Sequence, residues 1–485
     1  MDNLTAYRRL KQSSIRDYLM LSGLMLQVTV DLFDISMFNV ALPSIQREYG
    51  LSIEVLSLVV GVRYIANVGL MPIYGLIGDR FGRKRIFVTG LAIFIVGAVA
   101  SLLAPSLFWL VLGRTLIGIG SGILPLAMAI VADHYPQDQR GKYLGIWNSA
   151  APAGAIIGPP LGGLIIEAFG WKAIFVIVVL GTAIALMLVQ RHVAPTRQNI
   201  IPETRIDWIG AASLFGMVTG LLLATATRSV FPFGSSTNLS FWTMSALAIS
   251  MLVWNARVNP HPLVDLSVLR NRQLITSSVG MVFRMFALTG SSFLLVLYLT
   301  NVYGKSPSAV GVFMVFQSLA IFLGGPLGGL MTDRWSSMKS ARLGMLIQAA
   351  GMAWLSIVGP EGGSAIMIPG MVLSGFGGGI CLAPFIESAV TSMGDQKAGR
   401  AAGLFNMVRF VGAASSTPLI GLILASGFEV FGGSNAVAEP YQTAFRILAI
   451  SSLLGALVAA SMPQSPPKKT ADVFPGSQTL PLDSA

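Results

Sequence analysis

Cysteine occurs once in this chain, at Cys381, so no disulfide can close within it and no Cys-based metal site can be built. Histidine occurs three times, at His134, His192 and His261, scattered among expected loops. No glycine-rich phosphate-cradling loop with its lysine is present. Together these absences argue against ATP hydrolysis and metal catalysis within the chain, which reads as no enzyme and as needing no cofactor. Any work it does must draw on an ion gradient or on the gradient of what it carries. Charge is scarce too: 11% of residues are charged against 54% hydrophobic, less than half the charged fraction of an ordinary soluble domain. A water-soluble fold of 485 residues has too little interior to hide that much apolar surface.

What the sequence has instead is a succession of apolar runs of about 20 residues, each long enough to cross a hydrocarbon core of about 30 Å. Polar and turn-forming punctuation divides them into fourteen expected spans: 18–43, 52–76, 86–104, 108–132, 142–166, 171–190, 208–228, 240–257, 274–301, 307–331, 341–359, 365–392, 399–427 and 442–462. The expected fold is an all-α polytopic membrane protein. The first run is too long for a signal peptide and more spans follow it. An even count puts both termini on one side. If that side is the cytoplasm, inner loops and tails hold 23 cations and outer loops four (Arg47, Lys172, Arg228 and Lys305), with Arg63, Arg114, Arg284, Arg409 and Arg446 inside spans. Such a bias orients the chain, with both termini cytoplasmic in an inner membrane. It also accounts for the net charge of +11 without nucleic acid.

The chain is duplicated. Gly75 to Lys84 reads G-L-I-G-D-R-F-G-R-K between two spans, and Gly329 to Arg334 reads G-L-M-T-D-R, which puts Asp333 254 residues after Asp79. Gly118 and Gly120 recur as Gly375 and Gly377 at an offset of 257, and the run from Gly154 to Pro160 recurs degenerately from Gly412 to Pro418 at 258. Both hairpins fall on the same side, so the repeats are parallel. The expected organisation is a cytoplasmic segment 1–17, a six-helix bundle 18–190, a polar linker 191–207, two inserted helices with the following loop 208–272, a second six-helix bundle 273–462, and a disordered tail 463–485.

These motifs resemble the major facilitator superfamily, and within it the fourteen-helix drug:proton antiporters. Gly75, Asp79, Arg80, Gly82, Arg83 and Lys84 match the superfamily's loop between helices 2 and 3. Arg114, Gly118, Gly120 and Gly122 match its helix 4 pattern, with Ile117 where Gln is common. Gly154, Gly158, Pro159, Gly162 and Gly163 match the helix 5 pattern of antiporters. Asp34 to Pro43, D-I-S-M-F-N-V-A-L-P, looks like the helix 1 signature, with Ser36 replacing Thr. The resemblance implies a proton-driven exporter of amphipathic drugs or toxic small molecules, working by alternating access in the lipid bilayer. Alternatives are an exporter of an endogenous metabolite, a facilitator without proton coupling, and, in another class, a receptor or scaffold that moves nothing. The sequence gives no sign either way of a periplasmic adaptor.

Asp31 and Asp34 lie deep in the first span on one helix face. A charge at bilayer depth costs about 2.5–3.5 kcal/mol on insertion scales, so both should face the bundle or a cavity. Two readings coexist: a proton-exchanging carboxylate, and a structural pair with Arg63, Arg114 or Arg284. The resemblance makes Arg114 a partner in the proton cycle. Arg63 departs from the family, which often has an aromatic residue there; it is either a counterion for Asp31 or a mark of substrate preference. Glu387, after Pro384, either meets substrate or proton or pairs with Arg409 or Arg284. Asp79 with Arg80, Arg83 and Lys84 forms a charged latch, and its copy at Asp333 and Arg334 should be weaker, because Ser336 replaces the following glycine. The glycines of 154–163 form a small-residue stripe for close helix approach, with Pro159 and Pro160 bending the helix.

Overall fold

Backbone in lipid has no water to bond, so its N–H and C=O groups must be satisfied within each segment. The computed structural model describes residues 2–195, 207–226, 231, 234–259, 262, 271–392, 398–430 and 438–463, and among them every regular element is helical. In order these are α1 (Asp2–Tyr49), α2 (Ile53–Phe81), α3 (Arg83–Leu102), α4 (Leu107–Ser121), α5 (Leu124–His134), α6 (Gln137–Asn148), α7 (Ala150–Phe169), α8 (Ile174–His192), α9 (Trp208–Ala226), α10 (Ser236–Val258), α11 (Arg272–Asn301), α12 (Pro307–Arg334), α13 (Ser337–Ile357), α14 (Ile368–Ile380), α15 (Leu382–Thr391), α16 (Ala398–Val430) and α17 (Glu439–Ala460). The tail beyond 463 and most of the 191–207 linker lie outside the described residues.

Each of the fourteen expected spans holds helix, and three are split in two: α4/α5, α6/α7 and α14/α15. The splits fall at Gly122, Ser149 and Cys381, each three residues before a proline (Pro125, Pro152, Pro384). Proline has no N–H to give to the preceding turn and clashes with its carbonyl, which breaks the ladder there. By contrast α7 runs through Pro159 and Pro160 as continuous helix, so this span is interrupted at Ser149, earlier than the proline pair suggested. Twelve segments among the described residues are long and apolar enough to cross a membrane. The remaining two of the fourteen are α9, apolar over the shorter stretch Trp208–Leu221, and α13, which carries Lys339 and Arg342.

The duplication is visible in backbone contacts. Gly118 packs on the carbonyl of Arg63 and on Ala66, and Gly375 packs on the carbonyl of Gln317 and on Ala320. Gly97 faces the backbone of Ile117 and Gly113, and Gly351 faces that of Ser374 and Gly370. Gly154 meets Thr29 as Gly412 meets Val282. In each case a side chain would separate two helices that touch by their backbones.

Helices α1–α8 pack among themselves, as do α11–α17, and two main seams join the sets, α7 against α12 and α2 against α16, with α1 also touching α11. The seam contacts lie at the helix ends remote from the Asp79 hairpin. There Gly163 meets Pro307 and Ser308, Gly311 meets Pro159 and Pro160, Gly61 meets Pro418, and Gly421 meets Ser57. At the hairpin end α5, α6 and α15 pack chiefly within their own sets. The glycine contacts that join the two sets are therefore gathered at one end, which they hold closed. Of the insert, α9 packs on α10 and also on both α2 and α16, with the Phe215 ring against Gly69.

Candidate functional site

Four ionisable side chains meet in the interior of the first half. The Arg63 Nη2 donates to Asp31 Oδ1 at 2.5 Å and to Ser121 Oγ at 3.0 Å. Ser121 in turn donates to the same Asp31 oxygen. Arg114 Nη1 donates to both oxygens of Asp34, at 2.7 and 2.8 Å. Arg63 Nε lies 3.0 Å from Asp34 Oδ2, without hydrogen-bond alignment, and so links the two pairs. The Arg114 guanidinium also stacks 3.7 Å from the centroid of the Phe38 ring, a contact that favours the cation. All four ionisable groups are essentially closed to solvent, with Asp34 at 0% exposure.

The helix positions explain why these groups converge. Residues 27, 31, 34 and 38 share one face of α1, and Gly118 on α4 lets that helix touch α2 at Arg63 itself. Two carboxylates and two guanidiniums balance to zero charge when all are ionised. Adding one proton leaves an uncompensated cation in a medium of low polarity, where removing a partner from a buried pair costs about 3–5 kcal/mol. The quartet is thus a place where a single proton changes which arrangement of charges is stable.

Sequence reasoning singled out the four ionic residues but not Ser121, Phe38 or Gln27. Gln27, one turn before Asp31, is fully buried, and neither of its amide atoms has a hydrogen-bond partner among the described residues. The spacing to Asp31 was the available signal for Gln27. Ser121 is brought in only by the packing of α4.

At the hairpin, Arg83 pairs with Asp79 through Nε and Nη2, both at 2.9 Å, and with Asp133 through Nη1 at 2.6 Å. Lys84 donates to the carbonyls of Gln190 and Val193 at 2.8 and 2.6 Å. The cluster ties α2, α3, α5 and the end of α8 together within one half, and Asp133 is a member the sequence did not announce. Arg80 lies over the Phe81 ring. Asp333 and Arg334 are exposed and make no ion pair among the described residues. Gly82 turns the chain at φ 95°, whereas Gly75 has open space beside it. Gly82→Ala should therefore lower the thermal midpoint of the purified protein, by an amount matching about 1–3 kcal/mol of backbone strain. Gly75→Ala in mid-helix should hold or raise it.

The helix 5 glycines divide between two tasks. Gly154, Gly158 and Gly162 seat α7 on α1 through Thr29, Ser36 and Met37, within one half. Gly163 and the Pro159–Pro160 backbone meet α12 of the other half. In the second half Arg284 Nε donates to the Gly378 carbonyl at 2.6 Å, and its Nη1 lies 3.3 Å from Met285 Sδ. Arg409 lies over the Phe410 ring at 4.7 Å, with its Nε unpartnered. The ion pairs of the described residues include neither arginine, so the quartet contains Arg63 and Arg114 but not Arg284. Glu387 sits on α15, where its carbonyl accepts from Thr391 Oγ1 at 2.8 Å.

Comparison with known proteins follows the same lines. A family model described as Major Facilitator Superfamily matches residues 24–417. The chain is 28% identical over 396 residues to the multidrug resistance protein Stp of Mycobacterium tuberculosis, covering 81% of this chain and 73% of that protein. It is 27% identical over 394 residues to the tetracenomycin C resistance and export protein of Streptomyces glaucescens, with the same coverage. Among solved structures, a bacterial homolog of the human lysosomal transporter Spinster, in an inward-facing and unoccupied conformation, superposes with a TM-score of 0.65 at 18% identity, covering 92% of this chain and 96% of that one.

Proposed function

The chain belongs to the Major Facilitator Superfamily, and on that footing we propose that it is a proton-driven antiporter that exports amphipathic small molecules from the cytoplasm. The observation that carries this reading is Asp34, a carboxylate at 0% exposure in a membrane-spanning helix, held by two guanidiniums. A proton reaching Asp34 or Asp31 releases an arginine from its counter-charge. The quartet must then rearrange, or the halves must move until it is neutral again. Rocking about the seams would open the closed end while closing the hairpin end.

The substrate class is carried over from relatives whose names include multidrug resistance and export. The cation bias supports a cytoplasmic hairpin end, from which substrate would enter while the other end is closed. Asp79, Arg83 and Asp133 would hold the first half rigid as it swings. The test uses purified protein in liposomes with an internal pH dye and ethidium as the transported probe. A pH gradient should drive ethidium movement, ethidium movement should shift the internal pH, and a protonophore should abolish both. Ethidium flux that runs at the same rate without a pH gradient would replace antiport by facilitated diffusion.

A further inference from the structure

The duplication shows what each charged position of the first half has become in the second. Gly154 on Thr29 corresponds to Gly412 on Val282, which aligns Asp31 with Arg284 and Asp34 with Ala287. The contacts of Gly118 and Gly375 align Arg63 with Gln317, Arg114 with Met371 and Ser121 with Gly378. The correspondence holds at the side chains: Asp31 is bonded by Ser121, and Arg284 bonds to Gly378. An acid has become a cation, and the two arginines that would accompany an acid have become Gln and Met.

Arg284 is therefore buried, at 4% exposure, without a carboxylate. A second cation, Arg409, lies on α16 one turn before Gly412, whose backbone packs on Val282, two residues before Arg284. Arg284 acts on it electrostatically, and no carboxylate among the described residues acts on either. Arg284 is 12 residues into α11 and Arg409 11 residues into α16, so both lie about 17 Å from the hairpin-end start of their helices. That is mid-depth in the bilayer, where charges are normally paired. Around Arg284 stand the Gly378 carbonyl and the sulfurs of Met281, Met285 and Cys381, and beside Arg409 the Phe410 ring. Two guanidiniums present planar forks suited to a carboxylate, sulfonate or phosphate, beside sulfur and an aromatic ring.

We propose that Arg284 and Arg409 form the binding site for an anionic headgroup, so that the exported molecule is an amphipathic organic acid rather than a lipophilic cation. This rests on the export reading above and narrows it. The substrate's own charge completes the second half, as Asp31 and Asp34 complete the first. The first half is already balanced, so an incoming anion offsets the uncompensated charge of the second, in part when it carries one charge and fully when it carries two, which favours closing over the load.

The experiment compares two xanthene dyes, 5-carboxyfluorescein (anionic) and rhodamine 6G (cationic), binding to the detergent-purified full chain by fluorescence anisotropy. Wild type should bind carboxyfluorescein. Arg284→Gln and Arg409→Gln should each weaken it at least ten-fold, Lys at either position should keep most of it, and neither Gln variant should weaken rhodamine 6G. Because neither arginine meets a counter-charge, and Gln at 284 can still donate to the Gly378 carbonyl, the Gln variants should melt close to wild type, whereas a purely structural role would lower the melting point along with binding. Carboxyfluorescein binding unchanged by either Gln variant, binding of rhodamine 6G alone, or binding of neither dye would overturn the proposal. Arginine-dependent binding without pH-driven flux in liposomes would support the anion site while overturning antiport.

Discussion

Replacing Asp34 by Asn should leave a protein that reaches the membrane and exchanges substrate for substrate but no longer couples flux to a pH gradient. In the native quartet Arg114 donates to both Asp34 oxygens and Arg63 Nε stands beside them. Asn keeps the size of the side chain but can hold neither the charge nor a proton. Arg63 retains Asp31 at 2.5 Å, while Arg114 keeps only its contact with Phe38 and with the neutral amide. Losing one member of a buried pair costs about 3–5 kcal/mol, so a lower thermal midpoint is expected alongside the lost coupling. Counterflow of labelled substrate, which needs no proton, separates lost coupling from misfolding. Asp34→Glu should restore part of the coupling. If the Asn variant still pumps against a gradient at the wild-type rate, the quartet is architecture and the coupling proton binds elsewhere.

A comparably large effect is expected at the closed end. Gly163 approaches Pro307 and Ser308 so nearly that any side chain there would collide with backbone. Gly163→Leu should disfavour this closed end by about 1–3 kcal/mol, a shift of roughly 5- to 150-fold in population, since about 1.4 kcal/mol is ten-fold. Cys381 is the only cysteine, so Cys381→Ser gives a clean background for a reporter pair, Glu167→Cys with Ser308→Cys. Their parents are already linked, the Ser308 N–H donating to Glu167 Oε2 at 3.3 Å. Oxidative cross-linking should be efficient in the reporter and fall steeply when Gly163→Leu is added, with transport falling in parallel. Leucine at Gly141, which has open space around it, should change neither. Undiminished cross-linking in the Gly163→Leu protein would mean that this contact does not set the closed state.

The residues that were legible in advance are those whose chemistry is foreign to their surroundings. Asp31, Asp34, Arg63 and Arg114 stand out because an ionisable group in an apolar run must be accounted for, and the structure gathers all four. Their pairing was not legible: that Arg114 takes Asp34 and Arg63 takes Asp31 depends on the backbone approach of α2 and α4 at Gly118, a contact between distant segments. The helix interruptions were hidden for a different reason. Hydropathy continues through Gly122 and Cys381, and at Ser149 it only rises from the polar α6 to the apolar α7, so the prolines three residues on are what disclose the breaks. The glycine stripe of α7 could be read as a close-packing surface, but not which glycine faces α1 and which faces α12, because Gly162 and Gly163 are neighbours in sequence and point to opposite halves.

The inserted helix α9 touches α2 and α16 together, whereas among the described residues the seam of α7 and α12 has no such companion. Viewed from the surrounding lipid, the carrier is lopsided, with one flank doubly walled and the other single. Among the described helices, acyl chains and bilayer-dissolved compounds therefore meet the α7–α12 joint directly and the α2–α16 joint through an intervening helix.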